Sequence, residues 1–204
     1  MSGPGTRRRG PAADRGCAGL LLAAGAGTRL GGPKAVLEFG GERLVDRGVR
    51  ALRDGGCHPV VVVLGAAAVQ VRGAVTVHNP GWSSGMGSSL RAGLDALPPE
   101  AGQVVVALVD QPFVGPEAVG RLVRAGREGA RVAVATYGGA RRNPVLIGRE
   151  HFAEVARLAV GDVGARPFLR AHPGLVTEVP CDGLGDPADI DTPADLARLS
   201  GRSP

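Results

Sequence analysis

One lysine and a handful of aspartates carry most of the chemistry this sequence offers. Lys34 is the single lysine beside 23 arginines. It ends the stretch Leu22-Ala-Ala-Gly-Ala-Gly-Thr-Arg-Leu-Gly-Gly-Pro-Lys34, directly after an apolar run. A compact ammonium beside flexible backbone amides suits a phosphate. Gly25, Gly27, Gly31 and Gly32 can turn N–H groups toward an anion, Arg29 adds a second cation, and Pro33 stiffens the approach to the lysine. Spacing excludes two phosphate motifs. Leu30 stands where a dinucleotide fingerprint needs its third glycine, and Gly32-Pro33-Lys34-Ala35 departs from the Gly-Lys-Ser/Thr of a P-loop.

Asp110 follows a second apolar run, residues 104–109, and could hold a divalent cation that bridges phosphates. Near the end, Asp182, Asp186, Asp189, Asp191 and Asp195 cluster beside Thr192-Pro193, where Asp191 or Thr192 can cap a helix with proline in its first turn. Ser88 and Ser89 lie at the opening of another helix, where free amides favour an anion or a polar nucleotide group. Trp82, the only tryptophan, reads as a packing anchor beside that loop. His58, His78, His151 and His172 have no metal-ligand spacing, and no nucleophile–histidine arrangement is legible.

The elements that must position these residues alternate. Buried strands are expected at residues 18–24, 60–64, 75–78, 104–109, 132–136 and 144–147, where β-branched apolar runs recur. Helices are expected at 44–54, 85–97, 116–127, 150–158, 165–171 and 193–199. In 85–97, Met86, Leu90, Leu94 and Leu97 share a face, and Pro98-Pro99 ends the pattern. This alternation predicts a three-layer α/β/α sandwich with a mostly parallel, Rossmann-like sheet. Ligands of such sheets bind beyond the carboxyl ends of the strands, here the loops after the first, third and fourth.

Composition narrows the function classes. The chain has 204 residues, 44% of them apolar, enough for one domain, residues 17–204, behind a disordered basic tail, residues 1–16. The formal charge of +5 is mostly that tail: Arg7, Arg8, Arg9 and Arg15 against Asp14 give +3. With only 3% aromatic residues there is little material for base stacking, so no nucleic-acid partner is expected. The first apolar run is too short for a secretory signal, and none approaches a membrane span. Cys17, Cys57 and Cys181 are odd in number and far apart in sequence, and read as reduced, packed thiols of a cytoplasmic protein.

Taken together, the motifs resemble the nucleotidyltransferases of the molybdenum cofactor group, and most closely their cytidylyltransferase branch. The resemblance runs from the glycine loop through Asn79-Pro-Gly-Trp-Ser-Ser-Gly-Met-Gly-Ser-Ser-Leu-Arg-Ala-Gly93 and Asp110-Gln-Pro112. It continues through Asn143-Pro-Val-Leu146, Gly161-Asp-Val-Gly-Ala-Arg166 and Asp186-Pro-Ala-Asp-Ile-Asp-Thr-Pro193, covering residues 18 to 200 in order. It implies the nucleotide-diphospho-sugar transferase type of sandwich. It also implies Mg2+-dependent transfer of a nucleoside monophosphate to a phosphorylated acceptor, with release of pyrophosphate. On that basis Lys34, Arg29 and Asp110 are catalytic. Leu22, Ala23, Ala24, Gly25, Gly27, Arg29, Lys34, Ser88 and Ser89 bind the nucleotide. Asp110 and Asp191 hold the metal, with Asp189 the alternative to Asp191. CTP is preferred over GTP because guanylyl-transferring relatives tend to carry Gly where this chain has Ala24. Molybdopterin is the implied acceptor, bound near Arg141, Arg142, Asn143 and residues 161–166, and a molybdoenzyme a recipient of the product. The family usually shows a serine where this chain has Gly87. A sugar-1-phosphate nucleotidyltransferase and a non-catalytic nucleotide-binding chaperone remain the alternatives.

Overall fold

The computed structural model describes residues 16–200. The basic tail expected at residues 1–16 therefore lies outside the described residues, apart from Gly16.

Apolar β-branched runs form a seven-stranded sheet. In chain order the elements are β1 (Cys17–Ala23), β2 (Glu38–Phe39), β3 (Glu42–Arg43), α1 (Leu44–Asp54), β4 (Val60–Leu64), β5 (Val75–His78) and α2 (Met86–Asp95). There follow β6 (Gln103–Leu108), β7 (Phe113–Val114), α3 (Pro116–Arg127), β8 (Val132–Tyr137), β9 (Ala140–Gly148) and α4 (Phe152–Leu158). Last come α5 (Arg166–Ala171), β10 (Val176–Pro180), β11 (Gly185–Asp186) and α6 (Pro193–Ser200). The sheet order is β10-β8-β9-β6-β1-β4-β5, and β2/β3 and β7/β11 pair separately. All neighbours in the large sheet are parallel except β9, which runs antiparallel to both β6 and β8.

Side-chain alternation along β1 builds two cores. Leu21 and Ala23 join a layer with Leu44, Val45 and Leu52 of α1, Val119 and Leu122 of α3 and Leu199 of α6. Ala18, Leu20 and Leu22 join a layer on the other face with Leu90 and Leu94 of α2, Val155 of α4 and Phe168 of α5. Both faces are covered, so the central strands are apolar throughout, as parallel sheets require.

Two differences from the sequence-based reading stand out. β10 is an additional edge strand paired with β8; its run Val176-Thr-Glu-Val-Pro180 is short, half exposed and ended by proline, which weakens any strand signal. The last expected strand is longer than residues 144–147, because its polar start, Ala140 to Asn143, is pinned against β8.

The topology itself places the site. From β1 the chain moves outward through β4 to β5, then returns to lay β6 on the opposite side of β1. The reversal between β1 and β6 is a topological switch point, and the crevice it opens at the carboxyl ends of the strands is where doubly wound sheets bind ligands.

Candidate functional site

The loop leaving β1 and the residue leaving β6 meet at this crevice. Gly27 adopts φ 57°, and a Cβ there would overlap the Gly32 carbonyl oxygen, so only glycine lets the loop fold back. The Leu30 N–H and the Gly32 N–H both donate to the Gly27 carbonyl, at 2.8 and 3.3 Å, closing the loop. Among the described residues, the N–H groups of Gly25, Ala26 and Gly27 have no backbone acceptor. The turn Lys34–Val36 then aims the lysine across the crevice.

Lys34 lies between two carboxylates. Its Nζ donates to Asp110 Oδ2 at 2.8 Å and to Asp191 Oδ1 at 2.6 Å, although these partners are 76 and 157 residues away in sequence. The lysine side chain is only 14% exposed, whereas Arg29 is 70% exposed and approaches Asp191 loosely at 3.9 Å. Burial opposes the Lys34 charge, but the Asp110 and Asp191 carboxylates outweigh it and hold the ammonium above its usual range. Lys34 is therefore charged throughout the physiological range.

The acidic cluster sorts itself by hydrogen bonding. Thr192, not Asp191, caps α6: Asp195 N–H donates to Thr192 Oγ1 at 3.2 Å, and Asp195 Oδ2 accepts from the Thr192 N–H at 3.0 Å. That leaves the Asp191 carboxylate free to face Lys34. Asp189 accepts from Gln111 Nε2 at 2.8 Å. Gln111 is itself buried and also donates to the Pro187 carbonyl at 3.1 Å, while the Ile190 N–H donates to the Asp110 carbonyl at 2.8 Å. These three bonds clamp the loop that carries Asp191 onto the end of β6. In the sequence the only signal for Gln111 is its place inside Asp110-Gln-Pro112.

Burial, followed by the Asp110 charge, raises the Asp189 carboxyl above its ordinary range. The folded state thus holds this proton more tightly than the unfolded chain does. The resulting penalty is absent below the ordinary carboxylate range and sets in as pH rises through it. Asp189→Asn keeps an acceptor for Gln111 and removes the charge, so its Tm at pH 7 should exceed the parent's by roughly 1–3 °C. Near pH 3 the difference should vanish, and scanning calorimetry at both pH values checks it.

Whether a divalent cation suits this crevice can be judged from its donors. Asp110 Oδ1 is buried without a hydrogen-bond partner, an arrangement that is costly unless a ligand supplies the partner. Asp110 and Asp191 offer hard carboxylate oxygens, the type magnesium prefers. Among the described residues no group of three or more His, Cys, Asp or Glu is placed to hold a metal. The donor set therefore fits a cation that takes one or two carboxylates and completes its shell with phosphates and water.

The remaining expected residues fall around this centre. Leu22 and Ala23 are buried at the end of β1. The Ala24 side chain is 6% exposed and joins the same apolar layer as Leu22 and Val63, with Trp82 packed against it, so its methyl is a core contact. Ser88 and Ser89 are also buried, and both hydroxyls accept from Asn79 Nδ2, at 2.8 and 3.1 Å. These bonds tie α2 to the loop after β5. The amino end of α2 carries a side chain of this protein, since Met86 N–H donates to Asp162 Oδ1 at 3.3 Å. Asn79 and Asp162 thus organise this loop, and in the sequence their only signal is membership of the motifs 79–93 and 161–166. Arg141 and Arg142 lie at the start of β9, opposite the carboxyl end of β8 and thus on the same sheet edge as Asp110. Arg141 is engaged by Glu178 at 2.8 Å; Arg142 is exposed.

Gly87 has a physical reason here. A Cβ at this position would collide with the Ala159 carbonyl, because the segment 159–161 crosses directly over α2 and the Gly87 N–H donates to the Gly161 carbonyl at 2.9 Å. Gly87→Ser should therefore cost about 1–3 kcal/mol of stability through overpacking. Urea unfolding with an unchanged m-value would register it.

Comparison with known proteins places this geometry in a family. Residues 19–176 match the MobA-like NTP transferase domain. The chain is 42% identical to nicotine blue oxidoreductase of Paenarthrobacter nicotinovorans, over 89% of this chain and 95% of that protein. It is 32% identical to molybdenum cofactor guanylyltransferase of Rhodobacter capsulatus, over 91% and 95% respectively. Among solved structures, Rv0371c from Mycobacterium tuberculosis H37Rv superposes with a TM-score of 0.80 at 30% identity, covering 92% of this chain and 98% of that one. The manganese complex of the same protein gives 0.74 at 28%, covering 92% and 100%. The matched stretch takes in the glycine loop, Lys34 and Asp110, and by that match the chain belongs to the MobA-like NTP transferase family.

Proposed function

We propose that residues 17–204 form a single nucleotidyltransferase domain that moves a nucleoside monophosphate from a triphosphate to a phosphorylated acceptor. The observation that carries this reading is the Lys34 ammonium held between Asp110 and Asp191 at the switch point of the sheet. Phosphoryl-type transfer asks a protein for positioning and charge neutralisation, not for a nucleophile. Lys34 exchanges its carboxylate contacts for phosphate oxygens when nucleotide arrives, and Arg29, exposed at the mouth, closes on the outer phosphates. The N–H groups of Gly25 to Gly27 face the same anion. An acceptor phosphate oxygen then attacks the α-phosphorus in line, and pyrophosphate leaves. Asp110 and Asp191 are the residues that would hold Mg2+, which when bound neutralises the phosphates and polarises the α-phosphoryl group.

CTP is the proposed nucleotide and molybdopterin the proposed acceptor. The preference for CTP rests on the Ala-Ala-Gly spelling of the loop. A methyl narrowing the base pocket does not support it, because the Ala24 side chain packs inward. Relatives named guanylyltransferases keep GTP as the competing outcome. Arg142 and Arg166 are suited to the acceptor's phosphate, and a molybdoenzyme is the proposed recipient of the product. Pyrophosphate release should be measured with CTP, GTP, ATP and UTP, each with molybdopterin and with sugar-1-phosphates. Turnover with CTP and molybdopterin supports the full proposal. Turnover only with sugar-1-phosphates replaces the acceptor, and nucleotide binding without turnover favours a chaperone.

A second reading is favoured by the 42% identity to a protein named nicotine blue oxidoreductase. Consumption of a hydride donor in the presence of nicotine blue, with no pyrophosphate released from any triphosphate, would establish it in place of nucleotidyl transfer.

A further inference from the structure

At the opposite edge of the sheet, beneath the amino ends of the strands, lies a groove of about 740 Å³. Cys17, His58, Gln103, Arg127, Arg131 and Arg149 line it. Cys17, in its lining, and Cys57, buried behind it, are 40 residues apart in sequence but neighbours in the fold. The His58 N–H donates to the Cys17 carbonyl at 2.8 Å. Standard bond lengths on either side of that hydrogen bond limit the Cα–Cα distance of Cys17 and Cys57 to at most about 7.5 Å. Disulfides span roughly 4.4–6.8 Å.

Side-chain direction agrees. A Cβ built on Gly19 would lie 3.2 Å from Cys57 Cβ, and Cys17, two residues earlier on the same strand, presents its side chain to that same face. The absence of a side chain at Gly19 is what leaves Cys57 room there. Both cysteines belong to the α1/α3 layer, Cys57 fully inside it and Cys17 at its margin, where its thiol donates to the Ala18 carbonyl at 3.7 Å. All three cysteines are free thiols in this structure.

We propose that Cys17 and Cys57 form a dithiol that a hydroperoxide, entering from the arginine-lined groove, oxidises to an intramolecular disulfide. Cys17 sulfur attacks the O–O bond, forming a sulfenic acid and releasing an alcohol, or water from hydrogen peroxide. Cys57 sulfur then displaces the sulfenic hydroxyl, which leaves as water with the Cys57 proton. Two thiols lose two electrons and the peroxide gains them. Position divides the roles in this order: Cys17 lines the groove, whereas Cys57 is buried behind it. The neighbouring Cys57 thiol, aided by the Arg127 charge, lowers the Cys17 thiol against the opposing effect of burial. Reactive cysteines sit in electropositive, partly exposed surroundings of this kind. The disulfide would close a loop containing the entire glycine loop, Lys34 and α1, so it would constrain the unfolded chain strongly.

The test uses the full-length protein and its C181S, C57S and C17S variants, treated with a small excess of hydrogen peroxide, alkylated and digested with trypsin without reduction. Wild type and C181S should yield linked peptides 16–29 and 54–72, reversible by dithiothreitol. The oxidised protein should gain roughly 5–15 °C in Tm. C57S should give no link and a Cys17 sulfenic acid trapped by dimedone, and C17S should leave Cys57 unmodified. Two results would overturn the proposal. In one, both thiols of C181S remain alkylatable while free glutathione in the same tube is oxidised; in the other, Cys17 proceeds to sulfinic acid with no link to Cys57. The wild-type linkage decides the matter even if a serine variant fails to fold.

Discussion

Lys34→Ala should lower nucleotidyl-transfer turnover by about 10²-fold or more while strengthening divalent-cation binding to the nucleotide-free protein. The first effect follows because an ammonium aimed at phosphates acts most strongly where charge develops, in a crevice with little competing water. The second follows from the geometry of the resting site. With Nζ at 2.8 Å from Asp110 and 2.6 Å from Asp191, the lysine already neutralises the two carboxylates a cation would use. Removing it leaves Asp110, 21% exposed, facing Asp191 with only the loose 3.9 Å approach of Arg29 to offset the two charges. That should cost about 1–3 kcal/mol of stability, less than a fully buried pair would lose because Asp191 is 40% exposed. Millimolar Mn2+ should restore the lost Tm without restoring turnover. A variant with unchanged kcat, or one whose Tm ignores Mn2+, removes Lys34 from the role assigned to it.

Asp110→Asn should be at least as damaging, at about 10²–10³-fold in turnover, and should abolish Mn2+ binding measured by titration calorimetry. Asparagine preserves the size of the side chain, and the Ile190 N–H bond to the residue 110 carbonyl does not depend on it. The fold should therefore persist, as circular dichroism would verify. What disappears is the buried anionic oxygen that has no partner of its own. Asp191→Asn should be milder, since that carboxylate is more exposed and Lys34 keeps Asp110. Equal Mn2+ affinity in Asp110→Asn and parent would defeat the assignment of Asp110 as a cation ligand.

Much of this arrangement is legible in the residues alone, for reasons that differ by region. The run at Val60–Leu64 and the helices Leu44–Asp54 and Pro116–Arg127 lie where apolar periodicity and a proline at the first turn place them, whereas Val75–His78, expected as a buried strand, is a mostly exposed edge strand. Those signals are local, so the chain displays them without knowing its partners. Polar positions behave differently. Ser88 and Ser89 sit at a helix start, where hydroxyls either meet a ligand or fasten a loop, and the partner that decides is Asn79, delivered by β5. The choice between Asp191 and Thr192 as the cap of α6 is likewise decided by where Lys34 stands. β9 runs antiparallel, and β10 is added at the edge, because pairing direction depends on the connection made across the sheet and not on the composition of either strand.

The alternating layers, the glycine loop and its lone lysine are legible along the chain, since helix and strand periods and glycine's backbone freedom are properties of neighbouring residues. That Lys34 lies between Asp110 and Asp191, that Ala24 faces the core and that Cys17 neighbours Cys57 emerge from the folded chain alone. Each of these depends on which strands lie side by side. In a sheet ordered β6-β1-β4, pairing across a shared edge joins residues as far apart as Cys17 and Gln103, a distance that no local pattern encodes.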